Sequence, residues 1–187
     1  MKQKPISAIV EGCIQGNQAD YKAFYEHFYG YAMTICMAYS SNRDDARELL
    51  NDGFLKAFNN LNKLQNTEVV RPWLRQIMVN TALDYYRKHQ HQWIKVAPED
   101  ATEHLVESES VLAQISAEEI LTLLQQLPPM PRLVFGLYVL EGYSHQEISQ
   151  RLHIAESTSR AYLTDANQRL RRALIKQNEP ENERIRR

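Results

Sequence analysis

The segment Ser144–Leu170, SHQEISQRLHIAESTSRAYLTDANQRL, decides the fold of the second half of the chain. Ser144 and Glu147 have the spacing of a capping box, in which each side chain accepts a hydrogen bond from the other residue's backbone at the start of a helix. Apolar residues at helical spacing follow on both sides of a short turn: Ile148, Leu152, Leu163, Ala166 and Leu170. This pattern is typical of a helix-turn-helix, which presents the N-terminal end of its second helix to the DNA major groove. A plain helical hairpin has the same spacing, so DNA binding is one of two interpretations.

Helical periodicity also covers the first half of the chain. Apolar residues return every three or four positions over 21–39, 46–61 and 73–85, after a shorter amphipathic stretch over 6–14. The periodicity fails over 91–110, where the chain is polar and acidic. We therefore expect an all-α protein with two small helical domains, arranged as a first domain over 1–92, a flexible acidic linker over 93–111, a helix-turn-helix domain over 112–178 and a charged tail over 179–187.

The composition excludes several classes of protein. The 187 residues include only 6 glycines and 7 prolines, which argues against an all-β fold and against glycine-rich phosphate loops. No apolar stretch is long enough to insert into a membrane, and the N-terminus lacks the apolar core of a signal peptide. Cys13 and Cys36 have neither metal-ligand nor disulfide spacing, so we expect two buried thiols in a reducing cytoplasm.

The sequence offers no arrangement of side chains for catalysis. The 6 histidines are scattered without an HxxxH pair. No Ser-His-Asp, Cys-His or paired-carboxylate set can be argued from the spacing. We therefore expect no enzyme activity, no catalytic residue, no metal and no cofactor.

The net charge of −1 conceals an uneven distribution of charge along the chain. Seven acidic residues and no basic residue lie over 99–119. Five basic residues against one acidic residue lie over 71–95, and four basic residues with no acidic residue lie over 169–176. Two basic segments on either side of an acidic one fit two separate contacts with a polyanion. Solvated helix faces would give the same distribution, so charge alone does not decide the function.

Segments in both halves of the chain carry a resemblance to a known family. LPPMPRLVF over 127–135 and EGYSHQEI over 141–148 closely resemble the C-terminal promoter-binding region of bacterial RNA polymerase sigma factors, in the extracytoplasmic-function (ECF) group of the sigma-70 family. RDDARELLNDGFLKAF over 43–58 resembles the polymerase-binding helix of that group. RPWLRQI over 71–77 and NTALDYYR over 80–87 resemble its −10-element helix. Because both halves occur in the family's order, the sequence is identified as a member of this group.

The resemblance implies a cytoplasmic sigma factor that binds core RNA polymerase and directs promoter recognition, DNA melting and transcription initiation. The implied partners are the coiled coil of the largest polymerase subunit, the polymerase flap and promoter DNA, while the sequence leaves an anti-sigma partner open. Two other classes also stay open: a helix-turn-helix regulator with an N-terminal sensor or dimerisation domain, and a helical adaptor that binds no DNA. The acidic helix and the basic aromatic segment after it favour the sigma factor, because a sensor domain needs neither.

The resemblance also implies three sets of site residues. The core polymerase-binding set, on the acidic helix, is Asp44, Asp45, Glu48, Leu49, Asn51, Asp52 and Phe54. The −10 set, with a loop that captures a base and basic side chains that hold phosphates, is Gln65, Asn66, Thr67, Arg75, Asn80, Arg87 and Lys88. The −35 set, on a helix predicted over 156–172 with Arg160 placed for guanine, is Ser157, Thr158, Arg160, Ala161, Tyr162 and Asp165.

Several positions of the helix-turn-helix depart from the family pattern. His153 stands where the family has a turn glycine, Ala155 replaces a serine that would cap the second helix, and Ser159 replaces an apolar residue. The basic residues that the family often has are missing at three positions, which are Tyr162, Asp165 and Asn167. We therefore expect a shifted −35 contact set with fewer charges that neutralise phosphates.

Some of these side chains have alternative structural roles. Trp73, Tyr85 and Tyr86 could stack on unpaired bases, although a core position is favoured for Trp73. Tyr162 fits either a DNA contact or the core of the domain. Gly53, in the middle of a helix, predicts close packing, either within the domain or with polymerase.

Overall fold

The structure is a computed structural model of the chain, and it describes residues 4–64, 66–93 and 117–178. Every regular element in these ranges is helical, which confirms the predicted all-α fold. The chain divides into two compact units, with the boundary between Tyr86 and Arg87. The predicted tail and the predicted linker lie outside the described residues, apart from Trp93, which still belongs to a helix.

The first part of the chain contains four helices. They are α1 Ile6–Ile14, α2 Gln18–Tyr39, α3 Arg43–Asn60 and α4 Val70–Trp93, with two 3₁₀ turns, Leu61–Lys63 and Thr67–Val69, between α3 and α4. Asn42 caps α3, because its side-chain oxygen accepts hydrogen bonds from the backbone N–H groups of Asp44 and Asp45, both at 2.9 Å. The cap satisfies donors that a first turn leaves free, and the two carboxylates complement the helix dipole.

Aromatic side chains fix one face of α3 in the core of the first unit. Phe24 and Phe28 from α2 and Phe54 from α3 are fully buried. The Phe54 ring centroid lies 6.4 Å from that of Phe24 and 4.6 Å from that of Tyr25. Rings of this size contribute much of the burial that stabilises a small core. The opposite face of α3 is left for solvent or a partner.

Gly53 lets α4 approach the backbone of α3. A Cβ atom at this position would lie 2.2 Å from the Met78 sulfur, so only glycine fits without a shift. The prediction of close packing is confirmed, and the group that packs there is the side chain of Met78 from α4. Cys36 adds a second sulfur 3.8 Å from that of Met78, and burial raises the pKa of its thiol to about 12. Cys13 and Cys36 are both buried, as predicted.

The second unit contains the remaining described helices. They are α5 Ala117–Gln126, α6 Pro129–Phe135, α7 His145–Leu152 and α8 Glu156–Asn178, with a π-helical turn Gly136–Leu140 after α6. Helix α6 begins at Pro129 because proline suits the first position of a helix, where no backbone N–H is needed. Gly142, with φ +75°, then turns the chain toward α7 in a conformation that costs glycine little.

Arg132 is a buried charge that caps the C-terminal end of α5. Its guanidinium donates hydrogen bonds to the carbonyl oxygens of Leu124 at 2.8 Å, Gln125 at 3.0 Å and also Leu127. Leu124 and Gln125 lie in the last turn of α5 and Leu127 lies just beyond it, where a helix leaves carbonyls short of backbone donors; the Leu124 oxygen also accepts from the Leu127 backbone N–H at 3.1 Å. The positive charge also suits the negative end of the helix dipole. Arg132 therefore joins α5 to α6 in the helix-turn-helix unit.

Candidate polymerase and DNA interfaces

The outward face of α3 carries most of the polar residues predicted for polymerase binding. Asp44, Glu48, Asn51 and Asp52 are exposed, and Asp45 is half-buried. Leu55 lies on the same face, three and four positions after Asp52 and Asn51, and is 61% exposed. The sequence analysis missed Leu55. It could have been found as an apolar residue that falls outside the buried stripe of α3.

Two residues of the predicted polymerase-binding set lie in the core instead. Leu49 and Phe54 are each only 2% exposed. They belong to the stripe of α3 that recurs every three or four positions and faces α2 and α4. Their side chains stabilise the unit and cannot contact a partner without unfolding it, so the prediction for these two residues was wrong.

The residues predicted for the −10 element lie along an extended strip. Asn66 caps the second 3₁₀ turn, because its side-chain oxygen accepts a hydrogen bond from the Glu68 backbone N–H at 2.8 Å. Asn66 is exposed and Thr67 is half-buried, whereas Gln65 lies outside the described residues. Asn80 lies on α4 about 15 Å along the helix axis from the first residue of that helix, at a rise of 1.5 Å per residue. The loop and Asn80 are therefore separated along the helix and do not form one compact cluster.

The outward face of α4 is polar over most of its described length. Asn80 is exposed, and its side-chain oxygen accepts a hydrogen bond from the Gln76 Nε2 group at 3.1 Å. Arg87 and Lys88 are exposed two turns further along, and Arg75 is half-buried. Arg75 thus precedes the amide pair on the same helix, and Arg87 and Lys88 follow it.

The aromatic residues of α4 divide into core and partly exposed positions. Tyr86 is buried, and its hydroxyl donates to the Tyr39 carbonyl at 2.9 Å, so it does not stack on bases. Trp73 and Tyr85 are half-buried. Burial, and then the nearby charges of Asp45 and Glu48, raise the pKa of Tyr85, which places its ring close to the acidic start of α3.

The capping box and the turn of the helix-turn-helix have the predicted geometry. The Ser144 Oγ atom accepts from the Glu147 backbone N–H at 3.2 Å, and the Glu147 carboxylate accepts from the Ser144 backbone N–H at 2.8 Å. The hydrogen bonds that the Glu147 carboxylate accepts from the Ser144 backbone N–H and, at 2.7 Å, from the Ser144 hydroxyl lower the pKa of Glu147. His153 adopts φ 55° and ψ 44°, the left-handed conformation that the family's glycine would take more easily. This conformation is strained for a histidine, and it allows a short turn between α7 and α8.

Helix α8 buries most of the predicted apolar face and extends it by two residues that were not predicted to be buried, Ser159 and Tyr162. Leu163 is half-buried, whereas Ser159, Tyr162, Ala166 and Leu170 are buried along one stripe. Tyr162 is 4% exposed, and burial raises its pKa. Its ring packs in the core because it lies three residues after Ser159 and four before Ala166, on the face that meets the rest of the unit. The structure therefore corrects the assignment of Tyr162 to the DNA-facing set.

The remaining −35 residues are distributed over the outer part of α8. Ser157 and Arg160 are exposed, and Thr158 and Ala161 are half-buried. Asp165 is half-buried, and its carboxylate accepts from the Arg169 Nε group at 2.8 Å. This ion pair holds Asp165 against its own helix, so the structure does not favour it as a base contact.

A buried polar pair explains the hydroxyl at position 159. The Ser159 Oγ atom, fully buried, lies 3.0 Å from Nδ1 of His145, and the His145 ring stacks on Tyr138 with centroids 4.5 Å apart. Burial lowers the pKa of His145, and the charge of Arg160 lowers it further against an opposing effect of Glu156. The imidazole is therefore neutral near pH 7, and it satisfies the serine in the space where the family has an apolar side chain.

Two absences concern only the part of the chain that the structure describes. No group of three or more His, Cys, Asp or Glu side chains is placed to hold a metal ion in these ranges. None of the described helices is long and apolar enough to cross a membrane.

Comparison with known families agrees with both units. The model of sigma-70 region 2 matches residues 24–92, and the model of sigma-70 region 4 matches residues 117–176. The two matches together cover more than half of the chain and occur in the order of a sigma factor. A helical unit with an acidic outward helix, followed by a helix-turn-helix, is thus the two-domain architecture of a promoter-specificity subunit of RNA polymerase. The chain belongs to the sigma-70 family, in its extracytoplasmic-function group.

Individual relatives point to the same group. The chain is 26% identical over 150 residues to the ECF RNA polymerase sigma factor SigM of Bacillus subtilis, covering 79% of this chain and 90% of that protein. It is 24% identical over 149 residues to RNA polymerase sigma factor SigV of the same organism, covering 80% and 81% of the two chains. Among solved structures, CnrH in complex with the cytosolic domain of CnrY matches with a TM-score of 0.45 and 17% identity, over 93% of this chain and 99% of that one.

Proposed function

We propose that this sigma factor divides its work between the two units. Residues 1–92 bind core RNA polymerase and open the −10 element, and residues 112–178 bind the −35 element and the polymerase flap. The chain acts in the cytoplasm as an initiation factor, and the chemistry of transcription belongs to polymerase. The observation that carries this proposal is the outward face of α3, where acidic residues surround the exposed Leu55.

The α3 face has the anatomy of a protein-binding site. An apolar side chain in the middle of a polar rim is typical of an interface, because the anchor loses water on binding and the rim sets orientation. Glu48 and Asp52 make no ion pair with other described residues, so their charges are available to steer a basic partner. The resemblance identifies that partner as the coiled coil of the largest polymerase subunit. We assign the contact to Asp44, Asp45, Glu48, Asn51, Asp52 and Leu55.

Binding of purified full-length chain to core polymerase tests this assignment. Leu55→Ala and Glu48→Lys should each weaken binding roughly tenfold, the effect of about 1.4 kcal/mol. Glu26→Lys is the control for the change of charge, because Glu26 is also an exposed acid and lies on α2 outside the proposed face. Unchanged affinity for both α3 variants, with a folded chain, would show that polymerase binds elsewhere.

For the −10 element we propose base capture by the loop of Asn66 and Thr67, with Asn80 on a neighbouring nucleotide. Gln65 belongs to the same loop in the sequence. Arg75, Arg87 and Lys88 then hold the phosphates of the opened strand. Permanganate reactivity of the opened −10 element should fall with Asn66→Ala or Asn80→Ala while core binding persists.

For the −35 element we propose base readout by Arg160, with Ser157, Thr158 and Ala161 beside it. An arginine near the N-terminal end of a recognition helix can donate two hydrogen bonds to guanine in the major groove. Tyr162 stabilises the domain instead, and Asp165 pairs with Arg169. The proposal also includes an anti-sigma partner, which the resemblance to the family leaves open. Competition with core polymerase for the Leu55 face would identify such a partner.

A further inference from the structure

The two charged residues at the start of α8 form an ion pair. The Arg160 Nη2 group donates to the Glu156 Oε1 atom at 2.5 Å, between the first and second turns of the helix. The side chains are 62% and 45% exposed, so solvent screens the pair, and its contribution to helix stability is small. The ion pair therefore has more effect on the position of the Arg160 guanidinium than on the stability of the helix.

The ion pair restricts the guanidinium without using up its donors. A guanidinium carries five N–H groups, and the contact with Glu156 occupies one nitrogen, Nη2. The donors that remain are sufficient for a two-bond contact with guanine. A free arginine at this position would sample many rotamers, including ones that reach the phosphates on either side of the groove. Phosphate contacts hold the protein to any sequence, whereas base contacts select one.

We propose that Glu156 is a specificity-determining residue of the −35 site, which holds Arg160 in position for a base and keeps it from the phosphates. This inference deepens the proposed function, because it rests on Arg160 as the base-reading residue. Glu156 is a positioning residue in this role and need not contact DNA itself. Its carboxylate also repels phosphates, so that a misplaced helix is penalised.

A consequence distinguishes this role from that of an ordinary surface ion pair. In Arg160→Ala the Glu156 carboxylate is left without its partner at the DNA-facing end of the helix. That variant should lose selectivity and should also bind every −35 sequence more weakly. Adding Glu156→Ala to it should recover the overall binding, since the repulsion is gone, but it should not recover the selectivity.

The experiment uses holoenzyme reconstituted from core polymerase and the full-length chain. The probe is promoter DNA with a fixed −10 element and a randomised −35 element, from which bound sequences are recovered and counted. Wild type should show a guanine preference at one position, and Arg160→Ala should abolish it. Glu156→Gln should reduce the same preference roughly three- to tenfold, since a held arginine discriminates by a part of the energy of a two-bond contact.

Matched variants separate position from charge. Glu26→Gln removes the same charge from an i,i+4 pair with Lys22 on α2, outside every proposed site, and should leave all preferences unchanged. Glu156→Asp keeps the charge but shortens the side chain, so its preference should lie between those of wild type and Glu156→Gln. Circular dichroism of each variant should show an unchanged helix content, because position 156 is exposed.

Three outcomes would overturn the inference, and they differ from one another. If Arg160→Ala loses the guanine preference and Glu156→Gln keeps it in full, the proposed −35 site is retained and Glu156 has no part in it. An effect of Glu156→Gln at a different base pair would show that the carboxylate contacts a base, for example a cytosine amino group. Unchanged preferences in Arg160→Ala would reject the proposed −35 site itself, and the role of Glu156 with it.

Discussion

Helices α3 and α8 each bury one face and leave the other exposed, but most of the acids on the two outward faces are arranged differently. On α3, Asp44 pairs with Arg47 at 3.6 Å, whereas Glu48 and Asp52, on either side of the exposed Leu55 face, make no ion pair with other described residues. On α8, the acids pair with arginines four residues later, at Glu156–Arg160 and Asp165–Arg169. Unpaired charges attract an oppositely charged partner over a distance. Paired charges attract a partner less strongly, but each holds the other side chain in a defined position. In the proposed function, the first arrangement suits affinity for polymerase, and the second suits selectivity among DNA sequences.

The buried faces differ as well. The buried face of α3 is apolar and tight, with Phe54 between aromatic rings and Gly53 against Met78. The buried face of α8 includes a hydroxyl, Ser159, bonded to the imidazole of His145. We therefore expect α3 to be sensitive to changes of volume and α8 to changes of pH.

The largest expected effect separates the two faces of α3. Phe54→Ala should lower the free energy of unfolding by about 3–5 kcal/mol, because it removes a ring from a packed core. Leu55→Ala should leave that free energy within about 0.5 kcal/mol of wild type, as is usual for an exposed side chain. Urea unfolding followed by tryptophan fluorescence, from Trp73 and Trp93 of α4, measures both. A large loss of stability in Leu55→Ala would mean that the outward face of α3 is part of the core.

Gly53→Ala tests the tight contact of α3 with α4. The added methyl group would meet the Met78 sulfur, so we expect a loss of about 1–3 kcal/mol, as for other overpacked cores. Met78→Ala removes the sulfur that the new methyl group would meet. In the Met78→Ala chain, Gly53→Ala should therefore change the free energy of unfolding very little, and the two substitutions should be clearly non-additive. Additive free energies in the double-mutant cycle would show that the two side chains do not meet.

Sequence patterns predicted the fold better than they predicted the sites. The capping box, the left-handed turn at His153 and the need for space at Gly53 were all visible as local residue choices. The choice of site residues within a helix was less successful. Leu49 and Phe54 belong to the apolar stripe over 46–61, but the resemblance to the polymerase-binding segment was followed instead of that pattern, and their burial shows that the side chains face inward.

The same difficulty explains Tyr162 and Leu55. Tyrosine has both an apolar ring and a polar hydroxyl, so a pattern cannot decide whether it faces the core or DNA. Leu55 was overlooked because an apolar residue is assumed to be buried, although its position departs from the stripe of α3. Ion pairs such as Glu156–Arg160 are suggested by spacing alone, but the spacing does not show which of them lie at a binding surface.

Ser159→Ala measures the buried polar pair of α8. The substitution removes the partner of the His145 Nδ1 atom while the imidazole stays buried, which should cost about 1–3 kcal/mol. Hydrogen exchange of peptides from α7 and α8 in the full-length chain, at a fixed pH, reports this loss for the second unit. Ser159→Val with His145→Phe replaces both partners by apolar groups and should recover most of the stability. A double variant less stable than Ser159→Ala would contradict this account of the pair.

The smallest effect is the pH dependence that follows from His145. Its pKa in the folded chain lies below the ordinary value, mainly because of burial, so the neutral form is the one that folding favours. The unfolded chain then binds a proton more readily than the folded chain. The resulting stability is fully present above the unfolded pKa, about 6.5, and is lost as the pH falls through the folded pKa. One proton changes the free energy of unfolding by at most about 1.4 kcal/mol per pH unit.

The protection of α7 and α8 against pulsed hydrogen exchange, after equilibration in urea between pH 7.5 and pH 5, measures this dependence. Lowering the pH should destabilise the second unit of wild type, and His145→Phe combined with Ser159→Val should remove most of that dependence. His27→Phe is the control, because His27 is exposed on α2 and outside the helix-turn-helix. Glu147 acts in a lower pH window, because the capping box depresses its pKa: its contribution to stability is fully present above the ordinary carboxylate pKa, about 4.5, and is lost as the pH falls through the folded pKa. An unchanged pH dependence in the double variant would assign the proton to another group. The buried polar pair of α8 would then not distinguish α8 from α3 in its response to pH.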